Sequence, residues 1–430
     1  MTESLRSVVV VDGCRIPFQR SGTGYKDQRS YDLARMALKA LLERNPWLDP
    51  AQTGRVILGT VISNLATSNV AREAALGAGI PSTVPAFTVT QACISSNQAV
   101  TSGIDLIAVG QAETVIAGGT ESMSDIPIRI RKRLRDRLVA ARKVRGPMGY
   151  IKLLAGLGPS DFLPEIPSIS EFSTERSMGE DCDRLAARIG VSRAEQDEFA
   201  LRSHQLAHQA IQSGRLSNEV VPVRPAPDFE PVESDNGVRA DTDAEKLASL
   251  RPAFVKPHGT VTAGNSSFLT DGASAVLLME REAARKQGVQ PLARIRSYAY
   301  TAQDPLQELL LGPAYAAPQA LDLAGVALQD IDVFEFHEAF AGQVVANLKC
   351  LASNQFAREK LDRSKAVGEV PLERLNAWGG SLSLGHPFGA TGARLVTTAC
   401  NRLRCEDGQL ALIASCASGA IGNAMVLERV

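Results

Sequence analysis

No two cysteines in this chain are spaced as CxxC; its seven cysteines, at 14, 93, 182, 350, 400, 405 and 416, are odd in number and widely scattered. That spacing excludes a zinc ribbon or dithiol redox motif and indicates a reduced compartment. Also missing is any apolar run near the ~20 residues that span a bilayer, so membrane contact, if present, is peripheral. An excess of one charge is absent too: 46 basic against 47 acidic residues give a formal charge of −1, which argues against a general nucleic-acid-binding surface. The opening stretch MTESLRSVVVVDGCRIPF enters a strand-like run at once, with neither an apolar signal core nor an Arg/Ser-rich transit segment. It reads as cytoplasmic; a mitochondrial location is the alternative for a chain whose transit peptide has been removed.

A chain of 430 residues exceeds one ordinary hydrophobic core, so several domains are expected. Short β-branched runs such as SVVVVDG and RVILGTV alternate with helix-like segments such as YDLARMALKALLERN, and the alternation resumes late in the chain. This is an α/β pattern with buried sheets. Two stretches share one order of small-residue turn, helix, Gly-Gln and strand: ACISSNQAVTSGIDLIAVGQAETVIAGG and GHPFGATGARLVTTACNRLRCEDGQLALIASC. Such a repeat predicts two similar halves with a site where their strand ends meet. The expected division is 1–124 for the first half, 125–252 for an insertion, 253–281 for the return of the first half and 282–430 for the second. Within the insertion, RIRKRLRDRLVAARKVRG (129–146) carries nine basic residues and one acid, with Ile130, Leu134, Leu138 and Val139 near helical spacing. We read it as a single basic amphipathic helix, either a solvated face or a surface for a membrane or partner.

Reactive side chains are few. His204 and His208 have the i, i+4 spacing of a metal-binding helix, but Gln205 stands where HExxH has glutamate, and a solvent-facing helix explains them better. No metal site is assigned. His337 ends a strand-like run in FEFHEAFAGQ; His386 lies in the glycine-rich WGGSLSLGHPFGATGAR; Cys93 sits where a helix begins in VTQACISSNQAV; Cys416 closes a strand in LIASCASGAIGNAMVLE. The two cysteines look like related points of the two halves, each after a strand and before a small-residue turn. A free thiol near pKa 8.5 is only slightly ionised at neutral pH, and a helix N-terminus with a nearby imidazole would stabilise its anion. One thiol as nucleophile and a second as proton carrier suit acyl transfer between sulfur atoms.

These residues together resemble the thiolases over essentially the whole chain, through QACISSNQA, GTVTAGNSSFLTDGASA, FHEAFAGQ, WGGSLSLGHPFGATGAR and SCASGAIGNAMVLE in the family's order. Within that family the chain is most similar to the group of trifunctional-enzyme β subunits and anaerobic-type bacterial 3-ketoacyl-CoA thiolases. The resemblance implies a five-layer αβαβα fold of two α/β halves with an inserted loop domain. It implies a ping-pong reaction in which Cys93 takes the acyl group of a 3-ketoacyl-CoA, His386 activates that thiol, and Cys416 protonates the departing acetyl-CoA enolate and then deprotonates CoA. His337 replaces the asparagine of many thiolases and takes an oxyanion role. The backbone N–H groups of Cys93 and Ser418 form a second oxyanion hole, with Ser418 standing where many thiolases have glycine. Ser267 and Met178 match CoA-contacting positions. CoA enters as substrate, and no permanently bound cofactor is implied. Partners implied are a second copy (dimer or tetramer), a hydratase/dehydrogenase α subunit, and a membrane surface met through 129–146, with residues 125–172 shaping the acyl-chain entrance. The alternatives are an acetoacetyl-CoA-specific acetyltransferase and a condensing ketoacyl synthase; the second catalytic cysteine speaks against the latter.

Overall fold

The computed structural model describes residues 5–165 and 170–430. They form two compact units, one comprising the chain up to Asp125 together with Ser170–Val430, the other Ile126–Ile169. Residues 170–252, placed with the insertion on sequence grounds, fall in the larger unit.

The main elements are β1 (Val8–Arg15), α1 (Ser30–Arg44), β2 (Arg55–Gly59), α2 (Val70–Gly77), β3 (Ala86–Val89), α3 (Ser95–Ala108) and β4 (Thr114–Glu121). In the smaller unit follow α4 (Lys132–Ala141) and α5 (Pro147–Leu154). The larger unit resumes with α6 (Met178–Ile189), α7 (Arg193–Gln212), β5 (Thr270–Glu280), β6 (Ala293–Ala302), α8 (Gly312–Ala324), β7 (Val333–Phe336) and α9 (Ala341–Leu351). It closes with α10 (Thr391–Cys405), β8 (Leu410–Ala417) and β9 (Ile421–Arg429).

The strands run in the order β7-β8-β9-β6-β1-β5-β4-β2-β3. Two copies of one pattern lie in that order: β1-β5-β4-β2 in the first half and β6-β9-β8-β7 in the second, each antiparallel except for its last, parallel pairing. A short junction joins the copies, with Val9 opposite Arg294 and Val10 opposite Ala293. The late strand β9 is interior, paired on both sides.

Strand alternation generates the layers, because successive side chains leave opposite faces of a sheet. Val8 and Val10 enter one core with Ile57, Val115 and Leu278, whereas Val9 and Val11 enter another with Leu38 and Leu41 of α1 and Ala74 of α2. In the second half Ala411 and Ile413 join the same first core, while Leu412 and Ala414 face Ala316 and Ala320 of α8 and Val344 of α9. The shared core also holds Val100 and Ile104 of α3 with Leu395 and Val396 of α10. Helices therefore cover both outer faces and fill the space between: five layers, as the resemblance implied. Buried on both faces, the strands read as near-continuous apolar runs.

Central placement explains the odd composition of α10, in which every residue from Thr391 to Leu403 is buried, two arginines included. Both arginines meet the buried Glu335, Arg394 at 3.3 Å and Arg402 at 2.8 Å, so the cations are paired where water cannot reach them.

Topology corrects one reading of the repeat. The counterpart of β8, which bears Cys416, is β4, ending at Thr120 and Glu121; Cys93 instead precedes α3, whose counterpart is α10. The repeat thus relates the Cys93 loop to the His386 loop, and the two cysteines are not equivalent points.

The smaller unit departs from the single basic helix expected over 129–146. Arg129–Ile130 pairs antiparallel with Pro164–Glu165, α4 spans only ten residues, and Gly146, at φ +75°, with Pro147 starts α5. The first helix ends at Ala141 with Arg142 as its cap, and Gly146 with Pro147 at the first helical position begins the second. Leu134 and Leu153 are buried, and Arg133 meets Asp161 at 3.3 Å. Most other apolar side chains stay outside, among them Leu138, Val139, Met148 and Ile151. Residues 166–169 of the segment read as an acyl-chain entrance lie outside the described residues.

Candidate active site

Cys93 occupies a sharp turn between β3 and α3. Ala92 before it sits at φ +46°, a left-handed conformation costly for a residue with a Cβ. The turn is held by Ser95, whose Oγ accepts from Gln91 N at 2.8 Å and donates to the Ala92 carbonyl at 2.7 Å. At the start of α10, Gly392 lies where an added Cβ would come within 2.0 Å of Asn97 Oδ1, and Ala393 N donates to Ser96 Oγ at 3.1 Å. The two helix starts are thereby pressed together, and each follows a loop bearing a reactive side chain.

His386, in the second loop, is 2% exposed, and its ring centroid lies 4.0 Å from that of fully buried His337. Hydrogen bonding distinguishes the two rings. The Thr391 hydroxyl gives its one proton to the Pro387 carbonyl at 3.0 Å, so it must accept from His386 Nδ1 at 2.7 Å. His386 Nε2 is then a lone-pair nitrogen. Ser381 Oγ accepts from Arg394 Nη2 at 3.1 Å and lies 3.3 Å from His337 Nδ1; in the tautomer where Ser381 donates, the His337 proton is on Nε2. Neither Nε2 has a partner among the described residues. With those tautomers the site offers a base beside a hydrogen-bond donor, a division that sequence could not supply.

Both rings are held neutral. Burial, reinforced by the Arg394 charge, brings His337 down to about 3; burial, the His337 ring and Arg394 hold His386 well below the ordinary histidine range. For Cys93 the expected low pKa is not met: burial pushes the thiol up to about 11, the Ser418 N–H opposes this, the Glu121 charge adds to it, and the thiol's own N–H opposes it. Desolvation thus opposes the helix start at a thiol that is only partly shielded from solvent. Cys416, 2% exposed, is raised further, first by burial and then by the neighbouring Cys93 charge. At rest the two thiols and two imidazoles are all neutral.

The backbone N–H groups of Ser418 and Cys93 both act on the Cys93 sulfur. They are the pair that the resemblance named. Behind the site Glu121 accepts from Thr60 Oγ1 at 3.1 Å and from the backbone N–H groups of Val61, Ile62 and Gly389 at 3.0 Å each, tying loops of both halves to one carboxylate. Burial lifts it to about 7 against those four donors.

The predicted residues thus fall into two pairs, His337 with His386 and Cys93 with Cys416, with the Cys93 and His386 loops joined where Gly392 meets Asn97 and Ala393 meets Ser96. Met178 packs in the cluster that contains Cys416 and Phe340. Ser267 donates its N–H to the Ala339 carbonyl at 2.9 Å, next to Ser266, which lines a cavity of about 340 Å³ with Arg20, Arg239, Lys246, Phe268 and Leu250. Asp241 is the one acid in that lining, and Leu269 bridges to His386, so a basic cavity adjoins the reactive groups. His204 lines it too; contrary to the solvent-facing reading it is buried, accepts from Arg239 N at 3.1 Å and is brought down to about 4 by burial and the nearby arginines. Sequence reasoning passed over Thr391, Ser381 and Arg394, although all three lie inside the quoted glycine-rich stretch. The polar end of β4 at Glu121 was a weaker signal of the same kind.

Comparison with known proteins agrees with this geometry. The family described as "Thiolase, N-terminal domain" matches residues 8–282, and "Thiolase, C-terminal domain" matches 289–429. The chain is 53% identical to the cattle "Trifunctional enzyme subunit beta, mitochondrial" over 99% of its length and 89% of that protein's. To the "3-ketoacyl-CoA thiolase" of Erwinia tasmaniensis it is 44% identical, covering 100% of this chain and 98% of that one. The solved human mitochondrial 3-ketoacyl-CoA thiolase superposes with a TM-score of 0.84 at 32% identity over 99% of each chain. With both domains matched end to end around a neutral thiol–imidazole centre, the chain belongs to the thiolase family.

Proposed function

We propose that this chain is a 3-ketoacyl-CoA thiolase, an acyltransferase that cleaves 3-ketoacyl-CoA with CoA to acetyl-CoA and a shortened acyl-CoA in fatty-acid β-oxidation. The observation that carries the reading is the buried, closely packed His337–His386 pair with both Nε2 atoms left without a partner among the described residues.

In the first half-reaction the Cys93 proton moves to His386 Nε2 as sulfur attacks the 3-keto carbon. The oxygen on the attacked 3-keto carbon gains charge toward the N–H groups of Cys93 and Ser418, while the His337 Nε2–H faces the thioester oxygen of the departing acetyl-CoA enolate. Breaking the C2–C3 bond leaves the acyl group on Cys93 and an acetyl-CoA enolate, which takes its proton from Cys416. In the second half-reaction the Cys416 thiolate takes the proton of incoming CoA, whose sulfur attacks the thioester carbonyl. The new oxyanion meets the N–H groups of Cys93 and Ser418, and the Cys93 sulfur leaves and recovers its proton from His386. Each such donor contributes on the order of 3 kcal/mol to transition-state stability. The basic cavity lined by Arg20, Arg239 and Lys246 suits the phosphates of CoA, with Ser267 and Met178 nearer the reactive groups.

Steady-state thiolysis across acetoacetyl-CoA and longer 3-ketoacyl-CoA substrates tests the assignment. Activity on long chains is expected; activity on acetoacetyl-CoA alone would make the chain an acetyl-CoA acetyltransferase. Thr391→Val should lower kcat by about 100-fold, the scale of a general base lost to the wrong tautomer, while Thr391→Ser restores it. An unchanged kcat in the valine variant would remove Thr391 from the mechanism.

The partner readings stand as proposals. Edge strand β3, all four residues half-buried, offers the kind of free edge that a second copy covers. The cattle relative is by name one subunit of a larger enzyme, and a hydratase/dehydrogenase subunit is the matching partner here. No helix among the described residues is long and apolar enough to cross a membrane. Nine basic residues beside exposed Leu138, Val139 and Ile151 favour peripheral binding to an anionic lipid surface instead. Flotation with phosphatidylserine vesicles is expected for the intact chain and lost on deleting 129–146; flotation that survives the deletion rejects this role. A bacterial cytoplasmic or a mitochondrial setting fits equally.

A further inference from the structure

The loop after β8 carries the Ser418 N–H that acts on the Cys93 sulfur, and it turns through Gly419 at φ +85° to a strained Ala420, which has a Cβ, at φ +55°. Something must hold it. A carboxylate from a distant segment does so: Glu171 Oε2 accepts from Ser418 Oγ at 2.8 Å and from Gly419 N at 2.7 Å, and its Oε1 accepts from Ser173 Oγ at 3.3 Å. Glu171 is itself fixed. Its side chain is 7% exposed, its N–H donates to the Arg176 carbonyl at 2.8 Å, and its carbonyl accepts from Glu175 N at 2.9 Å. That tight loop runs directly into α6, where Ser177 and Glu180 cap each other.

We propose that Glu171 is a positioning residue for the reaction: by gripping the Ser418 hydroxyl and the Gly419 N–H, it aims the Ser418 peptide N–H at the oxygen of the acyl-Cys93 thioester. The inference rests on the reading of Cys93 as the acylated nucleophile. It also gives the serine at 418 a purpose. A glycine there could supply the same backbone donor but not the hydroxyl that Glu171 holds. Burial pushes the Glu171 carboxyl up, but the N–H of Gly419 and the hydroxyls of Ser418 and Ser173 bring it below the ordinary range, so it remains an acceptor at neutral pH. Charge–dipole contacts of this kind are stronger than neutral hydrogen bonds, and a misaimed donor forfeits much of its transition-state contribution.

The test compares Glu171→Ala, Glu171→Gln and Ser418→Ala with the natural chain in two assays. One is single-turnover acylation of Cys93 by acetoacetyl-CoA, read by intact mass; the other is alkylation of Cys93 by iodoacetamide, which needs the thiol but no oxyanion donor. For Glu171→Ala we expect acylation to slow about 30-fold, short of the ~100-fold or more for a deleted donor, with alkylation and KM changed less than about threefold. Glu171→Gln keeps an oxygen able to accept from the same two donors and should recover most of the rate. Ser418→Ala, which leaves the Gly419 contact, should slow acylation by about fivefold, one hydrogen bond's worth. Acylation unchanged in Glu171→Ala, alkylation falling in step with acylation, or a glutamine variant as slow as the alanine variant would each overturn the proposal. If the alanine variant does not fold, the other two variants decide on the same criteria. A natural chain with no acyl adduct on Cys93 would instead overturn the thiolase mechanism itself.

Discussion

Replacing Cys93 with alanine is expected to abolish turnover, with a loss on the order of 10⁶-fold, the scale seen when a covalent nucleophile is removed. After mixing with a 3-ketoacyl-CoA, the acyl mass adduct carried by the natural chain should be absent from the variant. The fold should survive, because Ser95 rather than the thiol holds the turn. Turnover in the variant would move the nucleophile elsewhere. The neutral resting state adds a pH signature. His386 is held well below the ordinary range, so it stays an unprotonated base where a free histidine would be charged, and kcat/KM should remain flat as pH falls through about 6.5. Stability takes the opposite course. Below about 6.5 the unfolded chain binds protons at positions 337 and 386 that the folded chain refuses, so the contribution of these two rings to stability is lost as pH falls toward the folded values, about 3 for His337, while Glu121, lifted to about 7, contributes in the opposite sense.

Cys416→Ala should lower kcat by about 10²- to 10⁴-fold, the range for a lost general acid and base, and leave alkylation of Cys93 intact. The sharper readout is isotopic. In D₂O the natural chain should exchange the methyl protons of acetyl-CoA through the enolate, and the variant should not. Exchange persisting at the natural rate would assign the enolate proton to another group. The high pKa of this thiol suits both tasks: it keeps the proton until a stronger base, the enolate, forms, and its thiolate is basic enough to deprotonate CoA. Serine at 416 would retain size but hold its proton too tightly to serve.

What the sequence revealed follows from the range over which each feature is encoded. Buried sheets were legible because strands such as Val8 to Val11 are apolar on both faces, whereas the five layers followed from the family resemblance and not from the pattern itself. The catalytic loops were legible because small residues and His-Pro cluster locally. By contrast, equating Cys93 with Cys416 went wrong because local order, strand then turn, does not record which strands are neighbours. The basic helix proved shorter than the charge run, because Arg129–Ile130 pairs as a strand and the helix ends at Ala141, and the Gly146-Pro147 start of the next helix lies at the run's end. A helix start is visible in sequence, whereas the desolvation that opposes it at half-buried Cys93 is not. Glu171 had no signal at all: its partner lies 247 residues away, and nothing in EFSTERS marks a carboxylate bound for a catalytic loop.

The interior position of β9 has a consequence for biosynthesis. Cys93, His337, His386 and Cys416 all leave the ribosome before it, yet β9 is the strand that clasps β8 to β6, and its Asn423 receives the Asn97 amide of α3 at 2.9 Å. A nascent chain therefore holds every reactive group while still lacking the scaffold that aligns them. Competence to cut carbon–carbon bonds requires this late strand in place between its neighbours, and a chain truncated before Ile421 is expected to be inactive.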